Sequence, residues 1–288
     1  MELNSAVPTA TPRDASTVVM LRDTEQGLEV FLVKRHGLSD VLGGAYVFPG
    51  GKLDDSDTQL DPLAHLDQAP SQLHTALGEP DIAVSKATGL FVAAIREAFE
   101  ESAVLFTTGA QDAPSALAHN AQTPFNRMLA KLSLRLQTSA LLPWSRWITP
   151  RMPSVSTRRF DTRFFVAAVP AGQHAQHDNH EATESVWLPP RVALEQYWTG
   201  QIELAPPQIM SLAHLARHGS VQSVLEGARS QHPPLIFPET FDDNGTRVLC
   251  YPGDPAHSVS ARALPGPTRL LYRKGRFAPM DGFEALFN

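Results

Sequence analysis

Glu97, Glu100 and Glu101 stand in the stretch Ala94-Ile95-Arg96-Glu97-Ala98-Phe99-Glu100-Glu101-Ser102-Ala103-Val104-Leu105. On a helix, residues three and four apart are neighbours, so these carboxylates project from one side. Like charges so placed repel by roughly a few tenths of a kcal/mol per pair. Solvent and the adjacent Arg96 can absorb that cost, or a hard cation such as Mg²⁺ or Mn²⁺ can, since such ions take oxygen ligands. A solvated acidic face is the commoner reading of a lone Glu-Glu pair, so the stretch alone leaves both open.

A second stretch with chemical potential is Phe48-Pro49-Gly50-Gly51-Lys52-Leu53-Asp54-Asp55-Ser56-Asp57. Paired glycines after Tyr46-Val47-Phe48 predict a strand running into a loop whose backbone can approach a ligand or take positive φ. A plain hairpin turn would look similar. A third is His174, His177 and His180, whose spacing invites a zinc site; the segment reads as a loop, and spacing alone does not build a closed tetrahedral site.

The elements that must position these residues follow from periodicity. Phe91, Ala94, Ile95, Ala98 and Leu105 recur at helical spacing and place the carboxylates on another face. Ala15–Leu21 and Leu28–Arg35 are apolar, β-branched runs joined by Asp23-Thr24-Glu25-Gln26-Gly27, the pattern of a hairpin. In Arg158–Val169, Arg159, Asp161 and Arg163 alternate with Phe160, Thr162 and Phe164, so one strand face is charged and is expected to line the cleft. Phe125, Met128, Leu129, Leu132 and Leu136 form a helical stripe, as do the apolar residues of 193–197, 209–216 and 221–228. Short apolar runs from Leu235 onward, broken by Pro and Gly, predict a small β appendix.

The 288 residues and 42% apolar content are enough for a proper core. A net charge of −6 argues against general nucleic-acid binding, which rewards a basic surface. The run Arg127–Arg163 is locally basic, with eight Lys/Arg against only Asp161; it suits a polyphosphate or an ordinary solvated face with ion pairs. Cys250 is the single cysteine, so no internal disulfide forms. No stretch has the length and apolarity of a bilayer-spanning helix. Cytoplasmic location and no membrane partner are the default expectations.

Together the glycine loop and the acidic helix resemble the signature of Nudix hydrolases, and their separation resembles the coenzyme A diphosphatase-like branch with a split signature. Trp147-Ile148-Thr149-Pro150 ahead of Arg159-Phe160-Asp161-Thr162-Arg163-Phe164-Phe165 extends that resemblance. Gly51 takes the opening glycine position, Asp57 replaces the first glutamate, Ala103 replaces the closing glycine, and roughly thirty extra residues intervene. The resemblance implies an α/β (α+β) fold, an α-β-α sandwich with a mixed sheet. Its expected parts are a leader over 1–14, a hydrolase domain over 15–234 with a helical insertion at about 58–88, and an extension over 235–288 packed on the same domain. The insertion is expected to cover part of the site, a spacer role being the competing reading.

It also implies that Glu97 and Glu101 ligate Mg²⁺ or Mn²⁺, that Glu100 assists directly or through water, that the Gly51 backbone adds an oxygen, and that Arg96 orients the cluster. The general base is Glu97, Glu181 or Glu184. Arg35, Gly50, Gly51, Asp54, Asp57, Arg159 and Arg163 are the expected substrate-binding residues. The expected partner is a small nucleotide-derived substrate, coenzyme A or acyl-coenzyme A first, cleaved to 3′,5′-ADP and a phosphopantetheine fragment. Nucleotide sugars, dinucleotides and a non-catalytic nucleotide sensor are the alternatives; a homodimer is open.

Overall fold

In a computed structural model, the structure describes residues 11–37, 42–108, 123–151, 158–177 and 182–288. The chain opens with the hairpin β1 (Arg13–Thr24) and β2 (Gly27–Arg35), turning where Thr24 faces Gly27. β1 therefore starts two residues inside the expected leader. Short strands β3 (Tyr46–Val47) and β4 (Gly50–Lys52) follow. Helix α1 (Asp55–Thr58) carries Asp57, α2 (Pro62–His65) and α3 (Pro70–Leu77) form the insertion, and α4 (Val84–Ser102) is the acidic helix.

Next come β5 (Thr107–Thr108), α5 (Phe125–Leu132), β6 (Arg135–Leu136), β7 (Leu142–Ile148), β8 (Phe160–Ala168) and β9 (Ala182–Leu188). Ser133, at φ 53°, ends α5, so Leu136 falls on β6 and not on the helical stripe expected for it. Helices α6 (Pro190–Thr199), α7 (Pro206–Leu215) and α8 (Val221–Ser230) precede β10 (Leu235–Ile236). The chain finishes with β11 (Glu239–Asp243), β12 (Thr246–Cys250), β13 (Arg269–Arg273) and β14 (Arg276–Ala278).

The main sheet is mixed, in the order β10-β7-β8-β1-β2-β3, with β4 on β1 and β9 on β2. β1 and β8 run parallel, while β1 and β2 are antiparallel. β10 joins this sheet beside β7, so the apolar run at Leu235 is not part of the appendix. The appendix is the antiparallel sheet β11-β12-β13-β14.

Both faces of the main sheet are buried, as alternation along β1 makes plain. Val18 and Met20 pack with Phe91, Ile95 and Phe165 in one core, whereas Val19 and Leu21 pack with Trp144, Ile209 and Val224 in the other. A strand apolar at every position needs cover on both sides. α3, α4 and α5 supply one layer; α6, α7 and α8 supply the second, joined by Leu249, Leu270 and Phe277 of the C-terminal sheet. The architecture is the α-β-α sandwich expected. No described helix is long and apolar enough to cross a membrane.

Candidate active site

β1 changes neighbours along its length. Its C-terminal half pairs with β2 and its N-terminal half, Ala15 to Thr17, with β4. The switch brings Gly50 and Gly51 over α4. A Cβ on Gly51 would lie 2.4 Å from Glu97 Oε1, and one on Gly50 would lie 2.4 Å from Thr17 Oγ1. Neither glycine has a positive φ; both lie in the strand β4, and what they admit is the close approach of Thr17 and Glu97. Gly50 N–H donates to Glu101 Oε2 at 3.1 Å, tying β4 to the helix.

Arg96 organises the carboxylates. Its Nε and Nη2 grip both oxygens of Asp57 at 2.8 and 2.9 Å, and Nη1 reaches Glu97 Oε1 at 2.7 Å and Glu100 Oε2 at 2.9 Å. Nη2 also donates to the Lys52 carbonyl at 3.0 Å. Burial opposes the Arg96 charge, but the Asp57 hydrogen bonds and the Glu97, Asp57 and Glu100 carboxylates outweigh it and hold its pKa above the ordinary value. Burial raises the pKa of Glu100; Arg96 opposes that, Asp57 and Asp54 add to it, and the net is upward.

Asp57 is 1% exposed, and beyond Arg96 it accepts the Asp54 N–H at 2.9 Å. It was expected among the substrate-binding residues; the structure buries it against Arg96, which it positions, and leaves it out of the cleft lining. A carboxylate at the first glutamate position with one methylene fewer still makes the fork-to-fork contact, because α1 carries it to the guanidinium. Asp54 caps α1 and pairs with Lys52 at 3.0 Å.

Two further expectations are corrected. Arg163 is 2% exposed and points away from the cleft, into an ion cluster with Asp14 at 2.6 Å, Glu79 at 2.6 Å and Asp161 at 3.4 Å. The alternation of β8 is as expected, but the faces are exchanged: Phe160, Thr162 and Phe164 line the cleft, and the charged face meets Glu79 of the insertion. The insertion itself packs on α4 through Leu73 and Leu77 and contributes no residue to the cleft wall among those described. Arg159 donates to the Thr149 carbonyl at 3.1 Å and so holds a cleft-lining loop.

Glu184 stands on β9 opposite Lys34, pairs with it at 3.4 Å and hydrogen-bonds Tyr46. Glu181 lies outside the described residues, as does His180. His177 Nδ1 is 3.0 Å from Ser185 Oγ.

The cleft has a volume of about 470 Å³, within the range of small-molecule sites. Glu97, Gly50, Gly51 and Lys52 form its polar end, and Phe48, Trp147 and Phe164 give it an apolar lining. Arg13, Arg35 and Arg158 add cations, and the start of α7 and the C-terminal Pro238 and Leu249 complete it. Sequence reasoning missed these last contributions. The Pro206-Pro207 pair marks a helix start, but no local signal says what that start faces.

Among the described residues no group of three or more His, Cys, Asp or Glu stands arranged to hold an ion; Arg96 bridges Glu97 and Glu100 instead. The donor set is still one that a hard cation takes, namely carboxylate oxygens on one helix face with Glu101 at 4% exposure. Glu97, Glu100 and Glu101 are the residues that could hold such an ion, and they fit it by chemistry.

A family model described as the NUDT19 Nudix domain matches residues 4–215. The acyl-coenzyme A diphosphatase NUDT19 of Xenopus laevis is 28% identical over 240 residues, covering 68% of this chain and 62% of that protein. Its human counterpart is 29% identical over 238 residues, covering 69% and 63%. The chain thus spans less than two thirds of the length of these two relatives. A NUDIX hydrolase from Alicyclobacillus acidocaldarius superposes with a TM-score of 0.61 at 24% identity, over 78% of this chain and 98% of that one, a likeness of fold.

Proposed function

Because the chain belongs to the NUDT19 Nudix domain family of Nudix hydrolases, we propose that it hydrolyses, with Mg²⁺ or Mn²⁺, the diphosphate linkage of a nucleoside diphosphate derivative, coenzyme A or acyl-coenzyme A first. The products would be 3′,5′-ADP and a phosphopantetheine fragment. The observation that carries the reading is the Arg96-centred carboxylate cluster set against Gly51 at the end of a cleft. The names of the frog and human relatives favour the coenzyme A class.

Held by Glu97, Glu101 and, directly or through water, Glu100, the ion would neutralise phosphate charge and lower the pKa of water. The chain's own residues do the rest. Arg96 fixes the Glu97 and Glu100 carboxylates with one nitrogen, so both keep their direction while substrate exchanges. Gly50 N–H orients Glu101. Lys52 and Arg35, on the cleft wall, offer positive charge to the diphosphate. Glu97 is the base candidate because it lines the cleft, whereas Glu184 is not among the cleft-lining residues.

The test is incubation of the purified protein with coenzyme A, ADP-ribose and NADH and either metal, with products read by mass spectrometry beside Glu101→Gln. Release of 3′,5′-ADP by the parent and a loss of roughly 100-fold or more in the variant is expected. If all three substrates survive with both metals, the hydrolase reading fails.

A further inference from the structure

Gln208 is a polar side chain that the fold leaves without a task. It is 7% exposed, it lines the cleft, and its Oε1 is buried with no hydrogen-bond partner. A buried carboxamide oxygen left unpaired costs about 1–3 kcal/mol, which is hard to account for in the free protein and natural where a ligand completes the pairing. Its surroundings say what kind of ligand. Gln208 is the third residue of α7, and Pro206 and Pro207 before it have no N–H. That helix start is therefore poor in the donors that make other helix N-termini phosphate sites. A neutral group suits it better. The same cleft is lined by Phe48, Trp147 and Phe164, which are 2–4% exposed and packed on one another, so its lining is apolar there and suits a flat, weakly hydrated group such as a base.

We propose that Gln208 reads the edge of the substrate's nucleobase and selects an adenine-type base. A carboxamide offers one donor and one acceptor side by side, and adenine answers with its N7 acceptor and N6 amino donor. Hypoxanthine has acceptors at both positions and can satisfy only one side of the amide. The inference rests on the nucleotide reading of the cleft, but it concerns recognition and not cleavage.

The experiment is calorimetric titration of ADP and IDP, with EDTA present to prevent turnover, into the parent, Gln208→Leu and Gln208→Glu. Thermal melts of each variant establish folding. The parent is expected to bind ADP about tenfold more tightly than IDP. Gln208→Leu should bring the two nucleotides together. Gln208→Glu keeps an acceptor for the N6 amino group and loses the donor, so it should weaken ADP binding yet keep ADP ahead of IDP. Equal affinities in the parent, an unchanged preference in Gln208→Leu, or binding of neither nucleotide overturns the proposal. The coenzyme A assay reports on hydrolysis separately, so either idea can fail without the other.

Discussion

At Gly51 the absence of one carbon lets the Glu97 carboxylate reach the cleft, since a Cβ there would sit 2.4 Å from one carboxylate oxygen and 2.6 Å from the other. The atoms it would meet are the tip of a flexible side chain, so Gly51→Ala should displace the carboxylate without unfolding the protein. A misplacement of about 1 Å at a reacting group costs on the order of 100-fold in rate. Gly51→Ala is therefore expected to lower kcat by about that factor while the melting temperature stays near the parent's; steady-state kinetics beside a thermal melt check it. A variant with full activity would show that Glu97 does not act from this position. Arg96 belongs to the same scale: one buried guanidinium sets the direction of three carboxylates, Asp57, Glu97 and Glu100.

The element that carries those residues, α4, is buried around most of its circumference from Ala87 to Ala98 because it lies between the sheet and the insertion. Its end is strained. Ala103 caps it at φ 58°, ψ 17°, in the left-handed region where a side chain costs about 1–2 kcal/mol. Glycine relieves that clash but loses more freedom on folding. Ala103→Gly should thus stabilise the protein by about 1 kcal/mol, visible as a higher urea midpoint with an unchanged slope. No gain, or a loss, would mean that the Ala103 methyl makes contacts worth as much as the strain. The carboxylates precede the cap, and their hydrogen bonds do not pass through it, so activity should be unaltered.

Across the whole molecule, two cores share one sheet, and the outer layer of the second contains a histidine pair. His214 of α7 stacks on Trp144 of β7 with ring centroids 4.4 Å apart, and its Nδ1 is buried without a hydrogen-bond partner. Burial lowers its pKa to about 4, with the His218 and Arg217 charges adding to the fall. The unfolded chain, with a value near 6.5, binds a proton that the folded chain refuses between those limits. Stability from this group is therefore complete above pH 6.5 and is lost as pH falls toward 4, by about 3 kcal/mol in all. Urea unfolding at about pH 7.5 and about pH 4.5 should show the drop, and His214→Phe should remove most of it. An equal acid sensitivity in that variant would place the cause elsewhere.

Much of the carboxylate helix and the β1–β2 hairpin was legible in the residues themselves, because spacing and alternation are local properties of the chain. So was the alternation of Arg163 and Asp161 with Phe164 and Thr162. Which of those two faces meets the cleft was not, since it depends on Glu79, which lies 84 residues away in sequence and reaches Arg163 at 2.6 Å. The same holds for Asp57, whose part as the partner of Arg96 needs α1 folded back on α4. Gln208, Pro238 and Leu249 enter the cleft from segments with no local mark of function. The sequence by itself determined the chemistry available, namely carboxylates, a guanidinium and a glycine that leaves space. Only the tertiary structure decided which charges are spent on one another and which are left to face a ligand, because a contact between distant segments depends on the packing of everything between them.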